Sequence, residues 1–595
     1  MSDHEAEVCP RQRPGEIQGT TRRTLLGTVA LGSAALTLGA PSAHAAPRQG
    51  LRTRLAPWWG RPAPRGTDAA PSTAAKPTIR VNASSGGHPI LAEAPTARAA
   101  DAERRRQEAA RDLFADGLAE AQAVNGDEGL YDDYRASFTK ALPHDGLGEV
   151  DKGAYRSLLD ALRTRTDAAF EAIRLAPTSE RRLVSPQAGY GYMLAGMDGQ
   201  ASRMPAAPAF ASDETAGEMH ELYWKALLRD VPFRTMEDSP LFARAVADVA
   251  ATPAPAGGLT EAAELFRGPT PGDRAGPMIS QFLWADVPFG NGRTTQRYPR
   301  PGPRADWGTE VPEWLAVQRG EVPGDVDKRG ARFIHDGRSL AEYVHVDFSY
   351  QAYLNAALIL LGLGPDFVTE GNPTLQSRTT TGFATFGGPD VLDLVATAAK
   401  AGLHAAWFQK WSVHRRLRPE AYGGRLHHQM FGQKAYGVPQ WLLDTDAVRR
   451  TRYAQGTGLL GQAYPEGSPT HPAYPAGHAT MAGACCTVLK AFFREEAELP
   501  SPVQANALGT ALEPYAGALT VRGEVDKLAS NVSLGRDWGG VHYRSDGIEG
   551  MLVGEAVAIS LLSDRAACYA QGFDGFTLTR FDGTRVRIGA EGAVA

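Results

Sequence analysis

The sequence predicts a mainly α-helical fold with minor β-hairpins. Apolar residues recur at helical spacing in eight long segments, and one short segment near the carboxyl terminus has the turn of a hairpin. Hydrophobic residues make up 43% and charged residues 22% of the 595 residues, which excludes a wholly disordered or fibrous chain. The net charge of -5 provides no overall attraction to nucleic acid or to an anionic membrane, so neither is expected as a partner.

The first 45 residues are predicted to be a twin-arginine export signal. Arg22 and Arg23 precede an apolar run, 25–38, and Ala43-His44-Ala45 is a small-x-small cleavage site. The alternative is a membrane helix, but this run of about 14 residues is shorter than the ~20 that a bilayer requires. We therefore expect a secreted protein whose mature chain begins at Ala46.

The mature chain is predicted to consist of a linker and one large helical domain. The stretch 46–100 is rich in Pro and Ala and predicts a linker or a surface-wrapping segment, and 101–595 predicts a single domain with its site within 400–550. Helices are expected at roughly 101–123, 152–176, 213–229, 339–362, 389–417, 476–497, 503–519 and 541–563.

The remaining segments of the domain predict loops and one hairpin. The stretch 265–335 is crowded with Gly and Pro and predicts long loops, whereas 576–581 and 584–588 flank an Asp-Gly turn. No mature segment has 18 uninterrupted apolar residues, so we expect no transmembrane helix.

Cysteine pairing is left open by the sequence. Cleavage of the signal would remove Cys9 and leave three cysteines. Cys568 could pair with Cys485 or Cys486, or all three could remain free thiols.

Three short stretches concentrate positive charge and histidine, and the first of them is 407–419. The helix that carries Lys410 is predicted to end just before Pro419, because the residue before a proline is pushed out of the α region. Arg418 would then lie at the helix exit and turn back toward the pocket of Lys410. The alternative is a basic, solvated helix end stabilised by the helix dipole.

The second stretch, 471–480, leads into an Ala-rich helix. Pro475 and Gly477 shape a turn, so His478 falls in the first helical turn, where unpaired backbone N–H groups and the helix dipole attract an anion. A histidine in this place can exchange a proton with an oxyanion. The alternative is a capping or packing histidine.

The third stretch is 531–546. Gly539 and Gly540 should break any helix, so His542 is predicted to open a new helix while Arg536 approaches from the preceding segment. Asp546 lies one turn after His542 and could hold one imidazole nitrogen, which would fix the tautomer. The alternative is an exposed ion pair.

Taken together, the three stretches predict an oxyanion site. They supply three cations and two histidines on separate helices, namely Lys410, Arg418, Arg536, His478 and His542. This set suits a tetrahedral or trigonal-bipyramidal oxyanion, with cations at the equatorial oxygens and a histidine on each apical side.

The motif order K-x7-R-P, P-x-G-H and R-x5-H-x3-D resembles the vanadium-dependent haloperoxidases, which share this core with the type 2 phosphatidic acid phosphatase superfamily. Segments 138–145, 221–233 and 276–282 also resemble algal bromoperoxidases, so the resemblance covers roughly 125–595. It implies helical bundles of the vanadium haloperoxidase and acid phosphatase type, with the site at the end of a funnel. It also implies a homodimer or higher homo-oligomer.

The resemblance implies a role for each site residue. The vanadate oxygens would be bound by Lys410, Arg418, Arg536 and the backbone N–H of Gly477, with His542 bonded to vanadium. His478 would contact the vanadate as the acid–base residue, and Lys410 would also be catalytic, because its charge would polarise bound peroxide. His471 matches a second pocket histidine, and Trp407 matches an aromatic position near the halide site. Asp546 would hold one ring nitrogen of His542 and so orient the imidazole.

One residue departs from the family pattern. The family has a serine hydrogen-bonded to vanadate where this chain has Ala476. The loss of one charge-assisted hydrogen bond predicts an anion affinity lower by roughly 1.5–3 kcal/mol, or about ten- to a hundredfold.

The activity implied by the resemblance is oxidation of bromide and iodide by hydrogen peroxide to hypohalous acid, which halogenates small organic substrates. Vanadate, V(V), would act as a Lewis acid. Chloride oxidation is not settled by any residue. The alternative is a secreted phosphatase in which His542 is the nucleophile and His478 protonates the leaving alkoxide. A non-catalytic anion-binding protein would leave His478 without a role.

Overall fold

The fold was analysed in a computed structural model, which describes residues 100–101, 104–109, 111–112, 122–324 and 326–594. All of these residues belong to one compact unit, Leu55–Ala595. The predicted export signal, nearly all of the predicted linker and most of the predicted helix 101–123 lie outside the described residues.

The described part of the chain is mainly helical, as the sequence predicts. The helices that carry most of the core are α1 Asp213–Leu228, α2 Gly337–Val346, α3 Gln351–Leu363, α4 Gly388–Phe408, α5 Pro419–Met430, α6 Gly477–Phe492, α7 Val521–Trp538 and α8 Arg544–Cys568. Further α-helices are Asp127–Leu130, Lys152–Thr164, Asp167–Glu171, Pro240–Ala250, Pro271–Arg274, Val311–Gln318, Gln440–Leu443 and Asp446–Gln455. Short 3-10 turns occupy Pro186–Tyr190, Gly199–Ala201, Phe233–Thr235, Ala256–Gly258, Gln281–Leu283, Pro365–Phe367 and Pro373–Gln376.

Helix α6 lies at the centre of the core. Every one of its residues except His478 is buried, and it packs against α4, α7 and α8. A helix that is apolar on all sides belongs in the interior of a protein. A Cβ atom at Gly483 would lie 2.0 Å from the carbonyl oxygen of Met551, so glycine at this position allows α6 and α8 to touch backbone to backbone.

The β-structure consists of short antiparallel strands. The pairs are β1 Val287–Phe289 with β2 Gly292–Thr294, β3 Tyr298–Pro301 with β4 Lys328–Arg332, and β5 Val503–Ala505 with β6 Leu512–Pro514. Strands β7 Phe576–Thr579, β8 Arg585–Gly589 and β9 Gly592–Val594 form a three-stranded sheet that contains the predicted hairpin. The stretch predicted as long loops, 265–335, contains the first two pairs and the helix Val311–Gln318.

One predicted element is wrong and one helix was missed. The predicted helix 503–519 is instead the hairpin of β5 and β6, which turns through Gly509 at a φ of 63°. Helix α7 was not predicted. It begins after Thr520, whose side chain accepts a hydrogen bond from the N–H of Gly523 and caps the first turn.

Three predicted helices are shorter than expected or interrupted. The segment 339–362 is split into α2 and α3, which meet at 98° because the chain leaves the helical region at Asp347. The segment 152–176 breaks at Arg165, which has a φ of 62°. The segment 389–417 continues past α4 only as a π-helical turn, Gln409–His414.

Among the described residues, no single helix is long and apolar enough to cross a membrane. The bent pair α2 and α3 together has the necessary length and apolar composition. The three cysteines that remain after the predicted cleavage are free thiols. Cys485 and Cys486 are buried in α6, and Cys568 is exposed.

Candidate active site

Lys410 lies in the π-helical turn that follows α4, and its side chain is fully buried. Its Nζ donates to the carbonyl oxygens of Pro472 at 2.6 Å and Ala473 at 2.8 Å. Since an ammonium group has three N–H donors, these two bonds leave one donor for a ligand. Burial and the nearby charge of Arg418 hold the pKa of Lys410 well below its usual value. An anion bound here would offset both effects.

Arg418 is the N-cap residue of α5, not the exit residue of the preceding helix as the sequence predicted. Pro419 occupies the first position of α5, where a missing N–H has no cost, so the proline begins a helix. The guanidinium of Arg418 donates to the carbonyl oxygens of His471 at 2.9 Å and Val541 at 2.7 Å. Burial lowers the pKa of Arg418 to about 9.

The two ring nitrogens of His542 have different partners. Nδ1 lies 2.8 Å from Oδ2 of Asp546, and Nε2 lies 2.9 Å from Nη1 of Arg418. A guanidinium can only donate, so Nε2 is the acceptor and Nδ1 carries the proton that is donated to Asp546. Burial, and after it the charge of Arg418, lowers the pKa of His542 well below its usual value. His542 is therefore neutral, with a lone pair on Nε2.

Asp546 is fully buried, so its pairing with His542 is not the exposed ion pair that the sequence left as an alternative. The prediction that His542 opens the new helix is wrong, because Tyr543 is the N-cap residue and α8 begins at Arg544; Asp546 is in its first turn. The carboxylate also accepts from the N–H of Tyr543 at 3.1 Å and from Arg416 at 2.8 Å. These three donors fix the carboxylate that orients His542.

His478 occupies the first turn of α6, as the sequence predicts. Its Nε2 lies 3.0 Å from Oδ1 of Asp347, and its side chain is 24% exposed. Asp347 lies at the bend between α2 and α3 and was missed by the sequence analysis. The sequence feature that could have indicated Asp347 is a carboxylate two residues after His345, inside the otherwise apolar helical pattern of 339–362.

Arg536 lies in the last turn of α7 and donates through Nη1 to the carbonyl oxygen of Val344 at 2.7 Å. Its Nε is buried, and no hydrogen-bond partner for it is found in the described part of the chain. The guanidinium carbon lies 5.2 Å from the ring centre of Tyr464, on which the imidazole of His345 is stacked at 4.0 Å. A buried N–H donor that still needs an acceptor suits an oxyanion ligand.

Several of these residues line a cavity of about 370 Å³, whereas Lys410, Arg418 and Asp546 do not belong to its wall. Its wall includes the predicted residues Trp407, His471, Gly477, His478, Arg536 and His542. Arg418 bonds two of these wall residues, because its Nη2 also lies 3.0 Å from Nδ1 of His471. The wall further includes Arg181, His345, Asp347 and Glu466, which no local motif indicated.

The aromatic and glycine positions predicted for the site lie together. The rings of Trp407 and His471 have centroids 4.8 Å apart, and Nε1 of Trp407 donates to the carbonyl oxygen of Val184 at 3.0 Å. Burial and the charge of Lys410 hold the pKa of His471 well below its usual value. A Cβ atom at Gly477 would lie 3.0 Å from the Trp407 ring, so a side chain there would crowd the entrance to α6.

The arrangement can bind an oxyanion and act on it chemically. Buried cations can neutralise its oxygens, and the amino-terminal turn of α6 adds N–H donors. The Nε2 lone pair of His542 can bind an electrophilic central atom, while the more open His478 can move protons.

The chain is similar to known proteins over most of its length. Residues 391–571 match the family model described as the VCPO second helical-bundle domain. The vanadium-dependent bromoperoxidase of Corallina pilulifera is 32% identical over 78% of this chain and 94% of its own length. That of Ascophyllum nodosum is 34% identical over 77% of this chain and 87% of its own length.

The fold is similar to that of a solved relative as well. The homohexameric second vanadate-dependent bromoperoxidase of Ascophyllum nodosum superposes with a TM-score of 0.75 and 29% identity, over 88% of this chain and 94% of that one. Sequence identity at this level, sustained over more than three quarters of the chain, places this protein in the family of vanadium-dependent bromoperoxidases.

Proposed function

We propose that this protein oxidises bromide, and also iodide, with hydrogen peroxide at a vanadate cofactor, and that the hypohalous acid halogenates small organic substrates. The observation that carries the proposal is the geometry of His542, whose Nδ1 lies 2.8 Å from the carboxylate of Asp546 and whose Nε2 lies 2.9 Å from the buried guanidinium of Arg418. The bromoperoxidase relatives support the same activity.

The residues that line the cavity, together with the buried cations Lys410 and Arg418, fit vanadate. We propose that Lys410, Arg418 and Arg536 neutralise its oxygens, that the N–H of Gly477 adds a donor, and that Nε2 of His542 binds the vanadium. When bound, vanadate would supply Lewis-acid activation of peroxide without a change of oxidation state. Nε2 accepts from Arg418 in the structure, so His542 could hold the vanadium only if that bond were given up, which would leave the guanidinium N–H for an oxygen of the anion.

His478 is proposed to move the protons of the reaction. Oxidation of bromide by peroxide to hypobromous acid and water consumes one proton in each turnover, and a buried site needs a residue that supplies it. The carboxylate of Asp347 accepts a hydrogen bond from Nε2 of His478, which leaves Nδ1 as the nitrogen that takes up or releases a proton in the cavity. Trp407 and His471 are proposed to line the halide site.

Two further features extend the proposal beyond the active site. The homohexamer of the structural relative supports a homo-oligomeric assembly for this chain. The sequence of the first 45 residues supports export by the twin-arginine route. Amino-terminal sequencing of the exported protein tests the latter, because cleavage after Ala45 leaves Ala46 as the first residue.

The activity is tested with the mature protein stripped of metal and titrated with orthovanadate. Bromide- and peroxide-dependent bromination of a 1,3-diketone is followed, with hydrolysis of p-nitrophenyl phosphate in parallel. We expect vanadate to restore bromination and the His542→Ala variant to show none. Ester cleavage without bromination would instead support the phosphatase alternative, to which the relatives described above lend no support.

A further inference from the structure

Met481 lies in the wall of the catalytic cavity. It follows His478 by three residues in α6, so the two side chains project from the same face of the helix. None of the other methionines in the described part of the chain belongs to this wall. A thioether therefore stands beside the residue proposed to handle protons.

The wall that contains Met481 has apolar as well as charged residues. Leu403 and Trp407, one turn apart in α4, line the same cavity. A Cβ atom at Gly477 would lie 3.0 Å from the Trp407 ring and 3.7 Å from a methyl carbon of Leu403, so both side chains pack against the first turn of α6. We call Leu403, Trp407 and Met481 the apolar wall. Hypohalous acid is small and uncharged, so an apolar wall does not repel it.

We propose that Met481 is a site of self-oxidation, at which hypohalous acid formed in the cavity converts the thioether to a sulfoxide. This inference rests on the proposed function, which supplies the oxidant. The sulfur donates an electron pair to bromine, which gives a bromosulfonium ion and hydroxide. Water then adds to sulfur, forming the S–O bond, and bromide and two protons leave. Sulfur is oxidised by two electrons, bromine is reduced to bromide, and the net products are sulfoxide, bromide and one proton.

The sulfoxide would impair the site. It adds an oxygen atom to a side chain that is only 4% exposed and lies one helical turn from His478, so the tightly packed wall would have to rearrange around it. We therefore expect bromination to decline with the number of turnovers and not with incubation time. Replacing Met481 with leucine, which conserves volume, removes the oxidisable sulfur. We expect Met481→Leu to complete at least about twofold more turnovers before it is inactivated.

Two other methionines provide matched controls. Met551 in α8 is as buried as Met481, each being 4% exposed, but it is not part of the cavity wall. Met430, at the end of α5, is partly exposed to solvent. Oxidant released into bulk solution would reach Met430 first, whereas oxidant formed in the cavity would reach Met481 first.

The experiment uses the vanadate-loaded mature protein with peroxide and bromide, and an excess of 1,3-diketone to consume released oxidant. Peptide mass spectrometry measures the addition of one oxygen atom at each methionine after a known number of turnovers, and a parallel sample receives peroxide without bromide. We expect bromide-dependent oxidation of Met481 that exceeds that of Met551 by about tenfold or more and precedes that of Met430. Met551→Leu should not prolong activity.

Three results would overturn the inference. They are equal oxidation of Met481 and Met551, oxidation of Met430 ahead of Met481, and equal oxidation of Met481 with and without bromide. Normal bromination with an unmodified Met481 would reject self-oxidation alone. Failure of bromination at saturating vanadate would reject the proposed function and this inference with it.

Discussion

Replacing Asp546 with asparagine should separate the support of His542 from the fold. The carboxylate accepts from Nδ1 of His542 at 2.8 Å, from the N–H of Tyr543 at 3.1 Å and from Arg416 at 2.8 Å. An asparagine has one oxygen and one NH2 group. If its oxygen faces His542, its NH2 group faces the N–H donors of Arg416, and the hydrogen bond to Arg416 is lost because neither group can accept. In the opposite orientation the NH2 donates to Nδ1, which moves the imidazole proton to Nε2 and removes the lone pair.

The expected magnitude follows from these contacts. Removing the partner that orients a metal-binding histidine typically costs about ten- to a hundredfold in affinity, which corresponds to about 1.4–2.7 kcal/mol. The lost charge-assisted hydrogen bond to Arg416 should also lower the free energy of unfolding by about 1.5–3 kcal/mol, because both groups are buried. Asp546→Asn should thus weaken vanadate binding and destabilise the fold, and the two effects are measured separately.

Equilibrium dialysis gives the dissociation constant for vanadate, and urea unfolding of the vanadate-free protein gives the stability. The matched control is Asp526→Asn, since Asp526 is a buried aspartate that accepts from Nζ of Lys490 at 3.0 Å within the core. We expect the control to lose stability and to keep its vanadate affinity. A folded Asp546→Asn protein with the wild-type dissociation constant would refute the reasoning, as would equal weakening in the control.

Three further predictions concern the cofactor, the proton transfer and the stability. Ala476→Ser should tighten vanadate binding in dialysis by about ten- to a hundredfold through one added charge-assisted bond, whereas Ala482→Ser, at an equally buried alanine of α6, should not. His478→Ala should lower kcat for bromination by about 10²–10⁴ while vanadate still binds; an unchanged kcat would exclude it as the acid–base residue. Burial lowers the pKa of both His144 and His414 to about 3. Below about pH 6.5 the unfolded chain therefore binds more protons than the folded protein. The free energy of unfolding should consequently fall by about 2 kcal/mol per histidine between pH 7 and pH 5. Urea unfolding at pH 7 and pH 5 measures this loss, which His144→Asn should reduce; a loss that this variant leaves unchanged would contradict the assignment.

Hydrophobic periodicity predicted most of the core helices and failed where polar residues are buried. Helices α4, α6 and α8 have long apolar patterns and were predicted. Helix α7 was missed because its buried side chains include polar groups that find partners in the folded state. Lys527 pairs with Glu524 at 2.6 Å, and Asn531 donates to the carbonyl oxygen of Met278 at 3.0 Å. These partners are invisible to a periodicity argument, since a polar residue is counted as exposed.

The site residues that were predicted belong to short motifs, and those that were missed contact them from distant parts of the chain. Asp347 reaches His478 across 131 positions, and Tyr464 lies 72 positions from Arg536. No local spacing links such pairs, so only the fold reveals them. The bend between α2 and α3 is equally non-local, because it places Asp347 in the cavity instead of in a continuous helix.

Arg418 explains why three motifs that are far apart in sequence act as one site. It belongs to the same motif as Lys410, accepts no hydrogen bonds, and donates to His471 of the second motif and to His542 of the third. A single buried cation therefore contacts both His471 and His542. If vanadate binds as proposed, it would replace the Arg418 bond at Nε2 of His542 and would accept a hydrogen bond from the same guanidinium. The affinity for the anion would thus depend on the difference between the Arg418–His542 bond and the bonds that the anion forms. Asp546→Asn can alter this difference through Nδ1 of His542, although residue 546 does not itself contact the anion.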